Sequence, residues 1–110
     1  MPSAAINQSS SKYASDAAKK LKMSEYFVQC CQQTADNISK LEVLTGKKPA
    51  TIAGVAIWII VKRCPSLKQT IPSLQIVSEV LGMSEPAVKS AYKEVEIVEE
   101  EVIPIGFKGH

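Results

Sequence analysis

The 110-residue chain is 45% hydrophobic and only 5% aromatic, which supplies one core and suits one domain. Its longest apolar run, residues 52–61, falls well short of the roughly 18 residues a membrane span needs, and residues 1–11 lack the basic and apolar regions of a secretory signal. The formal net charge of +2 divides unevenly: residues 1–93 hold 12 Lys/Arg against 6 Asp/Glu, whereas residues 94–110 hold Lys108 against Glu94, Glu96, Glu99, Glu100 and Glu101, so a basic body that permits a polyanionic partner without demanding one carries an acidic tail.

In chain order, residues 1–10 read as a flexible lead-in. From Ser11 to Met23, Tyr13, Ala14, Ala17, Ala18 and Leu21 recur at steps of three and four, the pattern of an amphipathic helix, and Lys19, Lys20 and Lys22 suit the negative end of its dipole. Ser24 is the expected cap of a second helix running to about Val43. Its apolar stripe is expected at Phe27, Cys31, Ala35, Ile38 and Leu41, and Gly46 is expected to end it in the left-handed conformation. Pro49 then opens a third helix that is apolar on every face (Ile52, Ala53, Val55, Ala56, Ile57, Trp58, Ile59, Ile60, Val61), so it belongs at the centre of the molecule. Cys64-Pro65-Ser66 reads as a break, and Pro72 as the opening of a fourth helix that ends at Leu81. Ser84 caps a fifth, with Val88, Ala91, Tyr92 and Val95 facing inward. Pro104 bars a further helix, and residues 98–110 are expected to form an acidic, flexible tail. The predicted class is therefore all-α: five helices in a domain spanning 11–97, with no internal repeat.

Residues 77–91 have helix-turn-helix spacing. Val77 and Leu81 pack from the first helix, Gly82 supplies the turn, Met83 plugs it, and Val88 and Ala91 pack from the second. The outward residues of the second helix are then Ser84, Glu85, Pro86, Lys89, Ser90 and Lys93. Bases are read by Arg, Asn or Gln, so this set suits phosphates instead, through Lys89, Lys93 and the short hydroxyl of Ser90. A helical hairpin that only completes the core fits the same spacing.

Catalysis has no residues to work with. The one histidine is the terminal His110, and no His/Cys/Asp/Glu cluster has metal-ligand spacing. Gly46-Lys47 lacks the preceding glycine of a phosphate loop, since Leu41 stands there. Cys30, Cys31 and Cys64 form neither a disulfide framework nor a zinc motif; they read as core fillers of a reducing, intracellular compartment.

Two blocks carry a family resemblance. Gly46-Lys47-Lys48-Pro49 followed by the helix from Ala50 to Trp58 resembles the opening of the central helix in the transcription factor IIB family, with Lys48 in place of the usual Ser and Trp58 in place of the usual Tyr. Val77 to Tyr92, closing on Val88-Lys89-Ser90-Ala91-Tyr92, is similar to that family's final helix-turn-helix. The resemblance covers about residues 11–96 and is to the second, C-terminal cyclin-like repeat. It implies a five-helix cyclin-like fold whose last two helices form the helix-turn-helix. It also implies a non-enzymatic, nuclear role with no cofactor: binding the TATA-binding protein and promoter DNA upstream of TATA, and recruiting RNA polymerase II through a longer factor that carries a zinc ribbon and a first repeat. The family's base-reading positions fall on Pro86, Ala87 and Lys89, of which only Lys89 keeps the usual chemistry. The resemblance thus implies mostly backbone contact, through Ser84, Lys89, Ser90, Lys93 and the loop lysines Lys47 and Lys48. Two alternatives stay open: a cyclin-like module that binds only protein, and the polymerase III relative of the same family.

Overall fold

The computed structural model describes residues 9–107. Most of the expected lead-in, as well as Lys108 and His110, lies outside the described residues. The helices are α1 (Ser10–Lys20), α2 (Glu25–Leu41), α3 (Pro49–Lys62), α4 (Pro65–Thr70), α5 (Leu74–Leu81), α6 (Glu85–Glu96) and α7 (Glu99–Val102). The five longer ones are the five expected; α4 and α7 are short additions. No strand occurs among the described residues.

α3 is the axis of the molecule. Val55, Ala56, Ile57, Ile59, Ile60 and Val61 are all fully buried, and α1, α2, α4, α5 and α6 pack around the helix. A helix with no polar face has no solvent side, so its neighbours must enclose it. Gly54 lets α6 come close: a Cβ there would lie 3.1 Å from Val88 Cγ1 and 3.3 Å from Leu81 Cδ1. Between Val55 and Val61, Trp58 is the exception, half-buried at the rim.

Several local expectations are corrected. On α2 the buried stripe comprises Val28, Cys30, Cys31, Thr34, Ala35 and Ile38, whereas Leu41 is exposed and Phe27 half-buried. Packing against both α1 and α3 widens the stripe beyond the narrow series read from the sequence. Thr34 is accommodated because its hydroxyl donates back to the Cys30 carbonyl at 2.8 Å. α2 ends at Glu42, which takes the left-handed conformation (φ 59°) in place of Gly46; Gly46 serves the following loop at φ 90°. Pro65 starts a helix where a break was expected, since a proline at the first turn loses no hydrogen bond. α5 begins at Leu74, with Ser73 rather than Pro72 at its entry. At the start, Ser9 caps α1 by accepting from the Lys12 N–H, and Ser10 is buried against Ser39, so the ordered fold reaches into the expected lead-in.

The largest correction concerns the tail. Residues 98–107 do not hang free: α7 and its flanks lie back along α2 and the end of α3. Val102 is fully buried, and its carbonyl accepts from Asn37 Nδ2 at 2.9 Å. The Phe107 ring stacks on Tyr26 with centroids 6.4 Å apart. One buried apolar plug, the partly buried Val98, Ile103 and Phe107, and several polar links fix a segment too short and too charged to signal its own burial.

Candidate nucleic-acid interface

The helix-turn-helix is α5, the turn at Gly82-Met83-Ser84, and α6. α5 ends in a reverse bond from the Met83 N–H to the Ser78 carbonyl (2.9 Å), with Gly82 left-handed at φ 70°. A Cβ at Gly82 would meet nothing within 4 Å, so the glycine serves the backbone conformation alone. Ser84 opens α6 with its Oγ accepting from the Ala87 N–H at 3.4 Å. Val88, Ala91, Tyr92 and Val95 anchor the helix on α3 and α5. That periodicity fixes the opposite side: Pro86, Lys89, Ser90 and Lys93 form one exposed ridge with a shallow hollow along it.

Lys89 and Lys93 make no ion pair with any described residue, and neither does Lys48, which stands at the entry to α3. Lys47 differs from its neighbour. Its Nζ lies 3.5 Å from Glu94 on α6, with both side chains near half exposure. Such a pair contributes little and is weakened by salt. It does bring the 44–48 loop beside the lysine ridge. Ser84 is committed to capping, so its hydroxyl proton is what it can still offer a partner. The structure therefore gathers Lys89, Ser90 and Lys93 on one face, sets Lys47 and Lys48 at its flank, and places Ser84 at its N-terminal end. The ridge is not a uniform positive field, since Glu85, Glu94 and Glu96 belong to the same helix.

On the other flank lies a cleft of about 330 Å³ whose lining includes Trp58, Leu74 and Tyr92, the lysines Lys68, Lys89 and Lys93, and the glutamates Glu85 and Glu96. Lys68 Nζ sits 5.5 Å from the centre of the Trp58 ring, within cation–π range.

Behind the cleft is a polar network that sequence reasoning missed. Lys62 Nζ donates to Tyr92 Oη at 2.6 Å, and Tyr92 Oη donates to Glu99 Oε1 at 2.9 Å. Arg63 Nε donates to Glu99 Oε2 at 2.8 Å, and Arg63 Nη2 to Glu100 Oε2 at 2.7 Å. The hydrogen bond to Tyr92 pushes the Lys62 pKa up, and burial pushes up that of the Tyr92 phenol. Only the acid-rich composition of residues 94–101 hinted at this network.

Nothing in the described residues has the make-up of a metal centre, and no helix there is long and apolar enough to cross a membrane. The arrangement is a helix packed on the core that presents lysines without an ion-pair partner among the described residues, and short hydroxyls, along one exposed ridge. The family described as the transcription factor TFIIB repeat matches residues 4–97. The chain therefore belongs to the TFIIB repeat family, a non-enzymatic transcription factor domain with a cyclin-like helical fold and a role in transcription initiation. A search of curated proteins finds no match to the chain.

Proposed function

We propose that this domain serves transcription initiation as the second repeat of a transcription factor IIB-like factor, docking on promoter DNA beside the TATA-binding protein. In the nucleus it would help to recruit RNA polymerase II through the longer factor. The observation that carries the reading is the ridge of α6, where Lys89 and Lys93 project from a rigid helix with no internal partner. Lysines of this kind bind phosphates; the absence of Arg, Asn or Gln on the ridge argues against reading bases. Specificity for position would then come from the TATA-binding protein and the bend of the DNA, with this repeat adding backbone contacts.

A protein-only role has one observation in its favour, the cleft with Trp58 on its wall. Binding to the TATA-binding protein preassembled on TATA DNA with long upstream flanks separates the two readings. Lys89→Glu/Lys93→Glu is expected to weaken binding to that complex and to flatten its dependence on log salt by about two units, one for each lost phosphate contact. Unchanged affinity and slope would remove α6 from the DNA and favour the protein-only module.

A further inference from the structure

We propose that Arg63, Tyr92 and Lys62 form a phosphate-binding site for nucleic acid, which the chain's own Glu99 and Glu100 occupy in the structure. The proposal rests on the DNA-docking reading above and extends it from α6 to the end of α3.

The geometry is that of an oxyanion cradle. Arg63 grips with the Nε–Nη2 side of its guanidinium, the edge that binds two oxygens of one phosphate or carboxylate. Here the two oxygens come from two different carboxylates, Glu99 at 2.8 Å and Glu100 at 2.7 Å. Tyr92 supplies a third donor, to the second oxygen of Glu99 at 2.9 Å, and Lys62 backs the phenol at 2.6 Å. Three donors thus converge on three carboxylate oxygens. The two non-bridging oxygens of a phosphodiester would satisfy the same donors.

The occupant is held unequally. The Glu99 side chain is 13% exposed and that of Glu100 is 83% exposed, so the outer half of the grip is already open to solvent. Both glutamates belong to the segment 98–107, which lies beyond the residues that match the TFIIB repeat, whereas Lys62, Arg63 and Tyr92 lie within them. The cations are part of the repeat and the carboxylates are added to it. Position completes the argument. Tyr92 lines the same cleft as Lys68, Lys89 and Lys93, three lysines against Glu85 and Glu96 there, so the uncovered site would extend the lysine ridge around one side of the domain. With the acidic segment in place, Arg63 is engaged by the two carboxylates and withdrawn from that track, while Lys62 backs Tyr92.

The test is binding of the full chain to a fluorescent promoter duplex, measured by anisotropy across a salt series. Glu99→Gln/Glu100→Gln removes the two competing charges and keeps the side-chain length. It is expected to bind about tenfold more tightly at low salt, with a log–log salt slope steeper by about one to two units as the freed cations meet phosphate. Asp16→Asn/Glu25→Gln, the same charge change on exposed residues of α1 and α2, controls for net charge and is expected to gain far less. Adding Arg63→Gln to the Glu99/Glu100 variant is expected to return affinity to that of the wild type. A gain no larger than the control's, or one that survives Arg63→Gln, overturns the proposal. Should the double variant unfold, Glu100→Gln alone leaves the buried Glu99 contacts intact; it should steepen the slope by about half as much, and an unchanged slope overturns the proposal equally. If wild type and variant both ignore the duplex, this proposal and the DNA-docking reading fall together. If the wild type binds through Lys89 and Lys93 and the variant gains nothing over the control, the masked site alone falls.

Discussion

α3 and the 98–107 segment are both held in the fold, but by a different balance of forces. α3 is enclosed on every side by aliphatic contacts, and from Val55 to Val61 only Trp58 keeps appreciable exposure. The 98–107 segment fully buries one side chain, Val102, packs Val98, Ile103 and Phe107 only partly against the core, and adds hydrogen bonds, ion pairs and a ring stack. The comparison teaches where stability and adaptability reside. Burying apolar area stabilises α3 with no titrating group involved, whereas the segment relies in part on pairings that solvent and competing ions can replace.

The sharpest way to break this contrast is Ile57→Ala at the centre of α3. Chemical denaturation is expected to show a loss of about 2–5 kcal/mol, the lost transfer energy plus the cavity left behind. A loss under about 0.5 kcal/mol would mean that the core does not centre on α3. Val102→Ala, at the one fully buried side chain of the segment, is expected to cost about 1–2 kcal/mol in the same assay. A loss as large as that of Ile57→Ala would make the segment an integral part of the core. Gly54→Ala tests the α3–α6 contact. Helix propensity favours alanine by about 1 kcal/mol, but the new methyl would press on Val88, a buried β-branched side chain with little freedom to turn. Overpacking of about 1–3 kcal/mol is expected to prevail, for a net loss of about 1 kcal/mol. A stabilised variant would show that α6 can shift.

The smallest effect concerns pH and belongs to the segment's side of the contrast. Lys62 and Tyr92 both have pKa values raised above their ordinary 10.5 and 10.0, the first by its hydrogen bond to Tyr92 and the second by burial. A raised folded-state pKa means that the native state holds its proton longer than the unfolded chain does. This contribution is complete below about pH 10 and is lost as pH rises through the two folded-state values. Thermal melts from pH 9 to 11 are expected to fall less steeply in Tyr92→Phe than in the wild type. Parallel curves would show that the network contributes nothing to alkaline stability.

Much of this architecture was legible in the sequence because its cause is local. The apolar run from Ile52 to Val61 can fold only as an interior helix once Pro49 and Lys62 bound it. Gly82 and the spacing of Val77, Leu81, Val88 and Ala91 mark the helix-turn-helix and so define the outward ridge with Lys89 and Lys93. What escaped notice depends on remote partners. The anchor of Val102 is Asn37, 65 positions earlier, and Glu99 meets Arg63 across 36. The alternation of Glu with Val and Ile before Pro104 has no helical period, so composition alone suggested a solvated tail. Lys47 was grouped with Lys48 by adjacency, yet only Lys47 reaches Glu94. Proline misled at Cys64-Pro65-Ser66 because it opens helices as well as ending them.

The three cysteines lie at two depths and turn the chain into its own reporter. Cys31 is fully enclosed beside Met23, with Sγ to Sδ at 3.8 Å, and burial pushes its pKa far up. Cys64 is likewise fully buried at the entry to α4. Cys30 lies shallower, 6% exposed, in a hollow it shares with Tyr26 and Pro104. An alkylating reagent will therefore meet Cys30 when the 98–107 segment lifts and Cys31 only when the whole helical body opens. The ratio of the two labelling rates separates local release from global unfolding without any added probe.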